Sequence, residues 1–179
     1  MKVGKGDSLD IKVTNNGEDI ERVTEFCYLG SIITDDAKCH REIRRRIAMG
    51  KESFLRKNEL MRGGLSKELK KRIIKTMVWS IVLYGSETWT VRMEDIRKLE
   101  DFEMWLWRRM ERISWTQHET NEEVLKIVGE ERMIIKIIRK RQKSWIGHVL
   151  RENSLFRMIT EGRRVGRKQR GRPRIMMLD

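Results

Sequence analysis

The sequence predicts a mainly α fold: a helical bundle of about five helices, with a small N-terminal β-hairpin fragment and a disordered basic C-terminal tail. Three observations carry this expectation. From Cys39 to Val149 apolar residues recur at intervals of three and four, the helical period, while β-type alternation is confined to the start of the chain. After about Asn153 apolar periodicity fades, and Gly162, Gly166, Gly171 and Pro173 stand among arginines. The expected divisions are residues 1–35 as a β fragment, 36–152 as the helical domain and 153–179 as a flexible tail.

Taken in order, Leu9, Ile11 and Val13 share one face of an extended segment, and Asn15-Asn16-Gly17 supplies residues that tolerate positive φ, so a hairpin is expected there. A short strand follows at Phe26–Ile33. The first helix places Ile43, Ile47, Phe54 and Leu55 on one stripe and Arg44, Arg45, Arg46 and Lys51 outside it. Gly63-Gly64 ends it, and Ser66 is placed to cap a second helix with Leu69, Ile73, Met77, Ile81 and Val82 inward. Thr90 opens a third, with Met93, Ile96, Leu99, Leu106, Met110 and Ile113 inward. Thr120 and Glu123 have the spacing of a capping box, in which each side chain accepts from the other's backbone N–H, and Gly129 stops that short helix. The last helix carries Ile134, Ile137, Ile138, Trp145 and Val149 on one face, and Arg139, Lys140 and Lys143 outside.

Charge narrows the function. The 179 residues hold 40 Lys and Arg against 27 Asp and Glu, a net charge of +13, which suits a polyanionic partner such as nucleic acid. The excess is uneven: residues 1–40 carry 5 basic and 8 acidic side chains, and residues 132–179 carry 15 and 3. No apolar run approaches the roughly 18 residues of a spanning helix, and no hydrophobic signal core opens the chain, so no membrane partner is expected. The expected location is intracellular, nuclear ahead of cytoplasmic. Two cysteines make no disulfide framework, and Cys27, Cys39 and His40 would need a distant His118 or His148 to complete a zinc site, so neither metal nor other cofactor is expected.

The stretch TEFCYLGSIITDD, residues 24–36, is followed in order by EIRRRIAMGKESF, LYGSETWT, TNEEVL, RQKSWIGHVLRE and GRPRIMMLD. In register and spacing this series resembles the region after the catalytic palm of non-LTR retrotransposon reverse transcriptases, over roughly residues 20–179. The resemblance implies a primer grip at Tyr28, Leu29 and Gly30, a thumb-like helical domain that holds a template–primer duplex (RNA–DNA hybrid, RNA or DNA), and the palm of the parent polymerase as a partner. It departs from the family at Met177, where a Trp is usual.

Paired aspartates hold two metal ions in polymerases, which makes Asp35-Asp36 a tempting catalytic signal. The partner aspartate in such enzymes comes from farther upstream than the 34 residues before Asp35, and the resemblance places Thr34-Asp35-Asp36 in a surface turn. No catalytic residue is therefore assigned, and the chain is not expected to be an enzyme on its own. His118-Glu119 lacks the second histidine of a zinc-hydrolase helix, and His148 is expected as a hydrogen-bonded residue near a helix end.

The binding candidates are cations clustered on helix surfaces: Arg44, Arg45, Arg46, Lys70, Lys71, Arg108 and Arg109. Among six tryptophans, Trp79, Trp105 and Trp145 are expected in the core, and Trp107 and Trp115 are the better candidates for exposed stacking on bases. In the tail, Arg170, Gly171, Arg172 and Arg174 surround Pro173 in a pattern like an AT-hook, where glycine lets the backbone reach the floor of a narrow minor groove. Two rivals follow: a DNA- or chromatin-binding factor acting through that tail, and a degenerate element fragment with no present role.

Overall fold

The structure, a computed structural model, describes residues 14–15, 18–19, 21, 23–151 and 157–158. The chain is mainly helical, as expected. Two small antiparallel ladders come first. β1 (Thr14–Asn15) pairs with β2 (Glu18–Asp19), with Asn15 opposite Glu18; Asn16 and Gly17 of the expected turn lie outside the described residues. Leu9, Ile11 and Val13 lie outside the described residues.

The single strand expected at Phe26–Ile33 is instead a hairpin of β3 (Glu25–Tyr28) and β4 (Ser31–Thr34), with Tyr28 opposite Ser31. Its two-residue turn, Leu29 and Gly30, has positive φ at both positions (47° and 78°), the twist that lets antiparallel strands close tightly. Leucine is a poor residue for that conformation, so local preference does not announce the turn; long-range contacts described below hold it.

α1 (His40–Arg56) buries Ile43, Phe54 and Gly50, with Ile47 half-buried, whereas Leu55 is exposed. α2 (Asn58–Arg62) follows after a one-residue break at Lys57 and ends at Gly63. Ser66 caps α3 (Lys67–Ile73), accepting from the Leu69 N–H at 3.4 Å. A π-helical turn (Ile74–Val78) leads directly into α4 (Trp79–Val82). This rod buries Lys71, Ile74, Val78, Trp79 and Val82; Val82 is inward as expected and Ile73 packs half-buried against the core, whereas Leu69 and Met77 are exposed, which corrects the expected stripe at those two positions. A strict four-residue series drifts about 40° per step around a helix of 3.6 residues per turn, and a π turn adds a residue within the rod, so the series leaves the core side.

α5 (Met93–Glu111) begins three residues later than Thr90. Thr90 instead ties back to the start of α1, its N–H donating to Cys39 Sγ at 3.4 Å and its hydroxyl to the Ala37 carbonyl at 3.3 Å. Leu99, Leu106 and Met110 are buried as expected; Met93 is exposed, and Phe102, Glu103, Met104 and Trp107 join the core. The Thr120–Glu123 capping box opens α6 (Asn121–Val128), and Gly129 ends it with φ 67°. α7 (Ile134–Arg151) buries Ile134 and Ile138 and leaves Arg139, Lys140 and Lys143 exposed, as expected. Trp79 and Trp107 meet edge to face at 5.9 Å in the centre of the bundle.

Candidate nucleic-acid interface

The β3–β4 turn carries the Tyr28-Leu29-Gly30 candidate, and Tyr28 and Leu29 project with 57% and 74% of their surface exposed. Beneath them the turn's backbone is held by side chains from α1 and from the turn that follows α4. The Gly30 carbonyl accepts from Arg46 Nη2 at 2.6 Å and from Arg45 Nη1 at 2.9 Å, and the Leu29 carbonyl accepts from the Tyr84 hydroxyl at 3.0 Å. Glu42 completes the arrangement. One of its oxygens accepts from Arg46 Nε at 2.6 Å and the other from the Ile32 N–H at 2.9 Å, so a single carboxylate joins α1 to β4. The Arg46 guanidinium also lies over the Tyr84 ring, 4.4 Å from its centroid.

This network corrects the reading of Arg46 as a surface cation. Arg46 is buried beside buried Glu42, because its five donors match the turn carbonyl and the carboxylate at once. Arg45 is half-buried in the same contact, and Arg44 points outward. Lys71 is corrected in the same way. It is buried between α3 and the end of α6, paired with Glu68 at 2.6 Å and Glu130 at 3.6 Å, and it donates to the Val128 carbonyl at 3.3 Å. The hydrogen bond to Glu68 raises its pKa above the ordinary lysine value, against the opposing effect of burial.

Arg108 is half-buried and donates to the Glu119 carbonyl and to Asn121 Oδ1, at 2.9 and 3.0 Å, so it supports the loop that opens α6. Arg109 is exposed, its guanidinium 5.4 Å from the Trp105 ring centroid. Lys70 is half-buried. Of the helix cations put forward, Arg44 and Arg109 keep an exposed face, and Arg46, Lys71 and Arg108 hold the fold together. Trp107, expected at the surface, is fully buried; Trp79 is buried as expected, Trp105 packs half-buried against the core, and Trp145, expected in the core, is only half-buried. The side chain of Trp115 and the tail residues Arg170, Gly171, Arg172 and Arg174 lie outside the described residues.

Asp36 belongs to a turn. Its carboxylate accepts from the Thr34 hydroxyl at 2.7 Å and the Lys38 N–H at 3.0 Å and pairs with Lys38 Nζ at 2.7 Å, contacts that hold its pKa well below the usual carboxylate range, the Lys38 bond first. Among the described residues no group of three or more His, Cys, Asp or Glu side chains is placed to hold a metal ion. An open groove of about 600 Å³ runs beside Trp79, Leu125, Met133 and Ile137, with the Lys75–Glu130 ion pair on its rim.

Sequence reasoning missed Tyr84 and Glu42. The Glu42–Arg46 spacing of four is a readable helical pair, whereas nothing local marks Tyr84 as a partner of a turn 55 residues away.

No family model matches the chain, and no solved structure does. A search of curated proteins finds an uncharacterized transposon-derived protein of Caenorhabditis elegans, 25% identical over 135 residues. The match covers 74% of this chain and 48% of the relative, so the chain spans about half that protein's length. This distant homology indicates a transposon origin. Among the described residues no helix is long and apolar enough to cross a membrane.

Proposed function

We propose that this chain corresponds to the primer-grip, thumb and C-terminal region of a non-LTR retrotransposon reverse transcriptase, and that it binds a template–primer duplex through its backbone without adding nucleotides by itself. The observation that carries the reading is the turn at Leu29-Gly30, fixed from below by Arg45, Arg46 and Tyr84 while Tyr28 and Leu29 face outward. A tip that must position the end of a strand needs a backbone that does not yield, and three side-chain donors, two from α1 and one from the turn after α4, supply one. The transposon-derived relative supports the same origin. In the parent polymerase the palm would be the neighbour of β3, where Phe26 is 49% exposed. Asp35 and Asp36 serve a turn in this reading, and polymerisation belongs to the palm.

Fluorescence anisotropy of the full chain with a labelled RNA–DNA hybrid, across several salt concentrations, tests the proposal. Binding with a clear salt slope, weakened by Tyr28→Ala and insensitive to A·T content, is the expected result. If binding instead favours A·T-rich duplex and is abolished by Arg170→Gln with Arg172→Gln, the tail acts alone and the thumb reading fails. Failure to bind any duplex, or nucleotide incorporation by the purified chain, contradicts it as well.

A further inference from the structure

α7 has a property that none of the candidate cations shares. Its 18 residues include six lysines and arginines and no acidic residue. The inner face is fixed: Ile134 and Ile138 are buried, Gln142 donates to the Trp89 carbonyl at 2.8 Å, and Arg141 donates to the Leu83 carbonyl at 2.7 Å. At 3.6 residues per turn, Lys136, Lys140, Lys143, Gly147 and Arg151 then fall within a sector of about 80° on the opposite side, with Arg139 beside it; at its two ends Lys136 pairs with Glu131 at 2.6 Å and Arg151 Nε donates to the Gly147 carbonyl at 3.0 Å. Arg139, Lys140 and Lys143 are exposed and make no ion pair or hydrogen bond among the described residues.

Gly147 lies in the middle of that stripe. Glycine is the poorest helix former after proline, and inside a helix its missing Cβ lets a neighbour come close to the backbone. At Gly50 that neighbour is the protein itself, since a Cβ there would overlap Val82 and touch Phe102. At Gly147 a Cβ would meet nothing within 4 Å among the described residues. Internal packing therefore does not ask for glycine there, although it interrupts a row of cations.

We propose that the outer face of α7 is a nucleic-acid backbone site, with Gly147 at the point of closest approach. The inference rests on the nucleic-acid reading above and extends it to residues outside that set. From Lys136 to Arg151 the helix advances about 22 Å, the length of about six or seven phosphates along one strand, so a repeating anion matches a repeating row of cations. A membrane surface is the poorer fit, because a helix that lies on lipid turns an apolar face to it, and the apolar face of α7 is buried in the bundle. α7 also lies against the segment that supports the β3–β4 turn: Arg141 bonds the carbonyl of Leu83, the residue before Tyr84.

The test uses the full chain and two variants: Arg139→Gln, Lys140→Gln, Lys143→Gln combined, and Gly147→Ala. Hybrid binding is followed against salt, with thermal unfolding measured in parallel. The triple variant is expected to lower the salt slope by about two to three, one phosphate contact per cation. Gly147→Ala is expected to keep or raise the melting temperature, as alanine favours helix, while weakening binding about tenfold. A destabilised Gly147→Ala would mean that the glycine serves the fold, and an unchanged affinity that nothing approaches it; either overturns the proposal. So does a triple variant with the wild-type slope, and if the hybrid is still bound the thumb reading survives. If the wild type binds no hybrid, or binds anionic vesicles in its place, both readings fall.

Discussion

The guanidinium of Arg46 donates to the carbonyl of Gly30 at 2.6 Å, joining the middle of α1 to the tip of a hairpin sixteen residues earlier. Arg46 is nearly inaccessible, and so is Glu42, its partner in charge. A buried pair broken on one side leaves the other charge without compensation, which typically costs about 3–5 kcal/mol. Arg46→Ala should lower the free energy of urea unfolding by about 3 kcal/mol, and exposed Arg44→Ala by less than about 0.5 kcal/mol. Equal effects would mean that Arg46 is not the anchor of the turn.

Tyr84→Phe removes one hydroxyl that donates to the Leu29 carbonyl on an exposed face, and keeps the ring under Arg46. Its effect on stability should stay near 1 kcal/mol. Its effect on the turn should be larger: amide exchange at Ser31 and Ile32 should speed up relative to α5, whose protection reports global unfolding. Unchanged exchange in the hairpin would show that the two arginines hold the turn without Tyr84.

Glu103 is buried in α5, and its carboxylate accepts from the Met133 and Ile134 N–H groups at 2.8 and 3.4 Å, at the start of α7. Burial raises its pKa above the ordinary value of 4.5; the two N–H bonds and nearby Arg132 act against this, and Glu100 adds to it. The folded chain therefore holds this proton at a pH where the unfolded chain has released it. Stability from this group falls as pH rises from about 4.5 through the raised pKa, and is level above it. Comparing urea midpoints of wild type and Glu103→Gln from pH 4 to 8 isolates the effect: the difference between them should change across that window in the direction that disfavours wild type at higher pH.

Gly50 sits where α1 crosses α4 and α5, and an added methyl would overlap Val82 and press on Phe102 Cζ at 3.0 Å. Both neighbours are buried, so relief requires the helices to move apart. Gly50→Ala should destabilise by about 1–3 kcal/mol despite its gain in helix propensity. An increase in melting temperature would mean that this crossing is looser than the packing indicates.

The capping box offers a local contrast. Thr120→Ala removes the hydroxyl that accepts from the Glu123 N–H, and should cost about 1 kcal/mol, measured by thermal unfolding. Separately, the Thr120 N–H and hydroxyl bonds to the Glu123 carboxylate hold its pKa below the ordinary value, so the carboxylate's own stabilisation is present at neutral pH and is lost as pH falls through the depressed value.

The sequence by itself determined what depends on neighbours along the chain. Ser66, the Thr120–Glu123 pair, Gly63 and Gly129 mark helix ends through bonds that span three to five residues, and the apolar face of α7 follows from its own period. Only the tertiary structure decided which charged and aromatic side chains leave water. Arg44 and Arg46 are two positions apart with the same chemistry, and they part company because the Gly30 carbonyl and the Tyr84 ring lie on one side of α1 and solvent on the other. Trp107 is enclosed because Trp79 meets it from the α3–α4 rod, and Lys71 is buried because the Val128 carbonyl at the end of α6 and Glu130 just beyond it close over it. The β3–β4 turn belongs to the same class. Leu29 has no local preference for positive φ, and its conformation persists because donors from α1 and from Tyr84 take up the carbonyls that it presents.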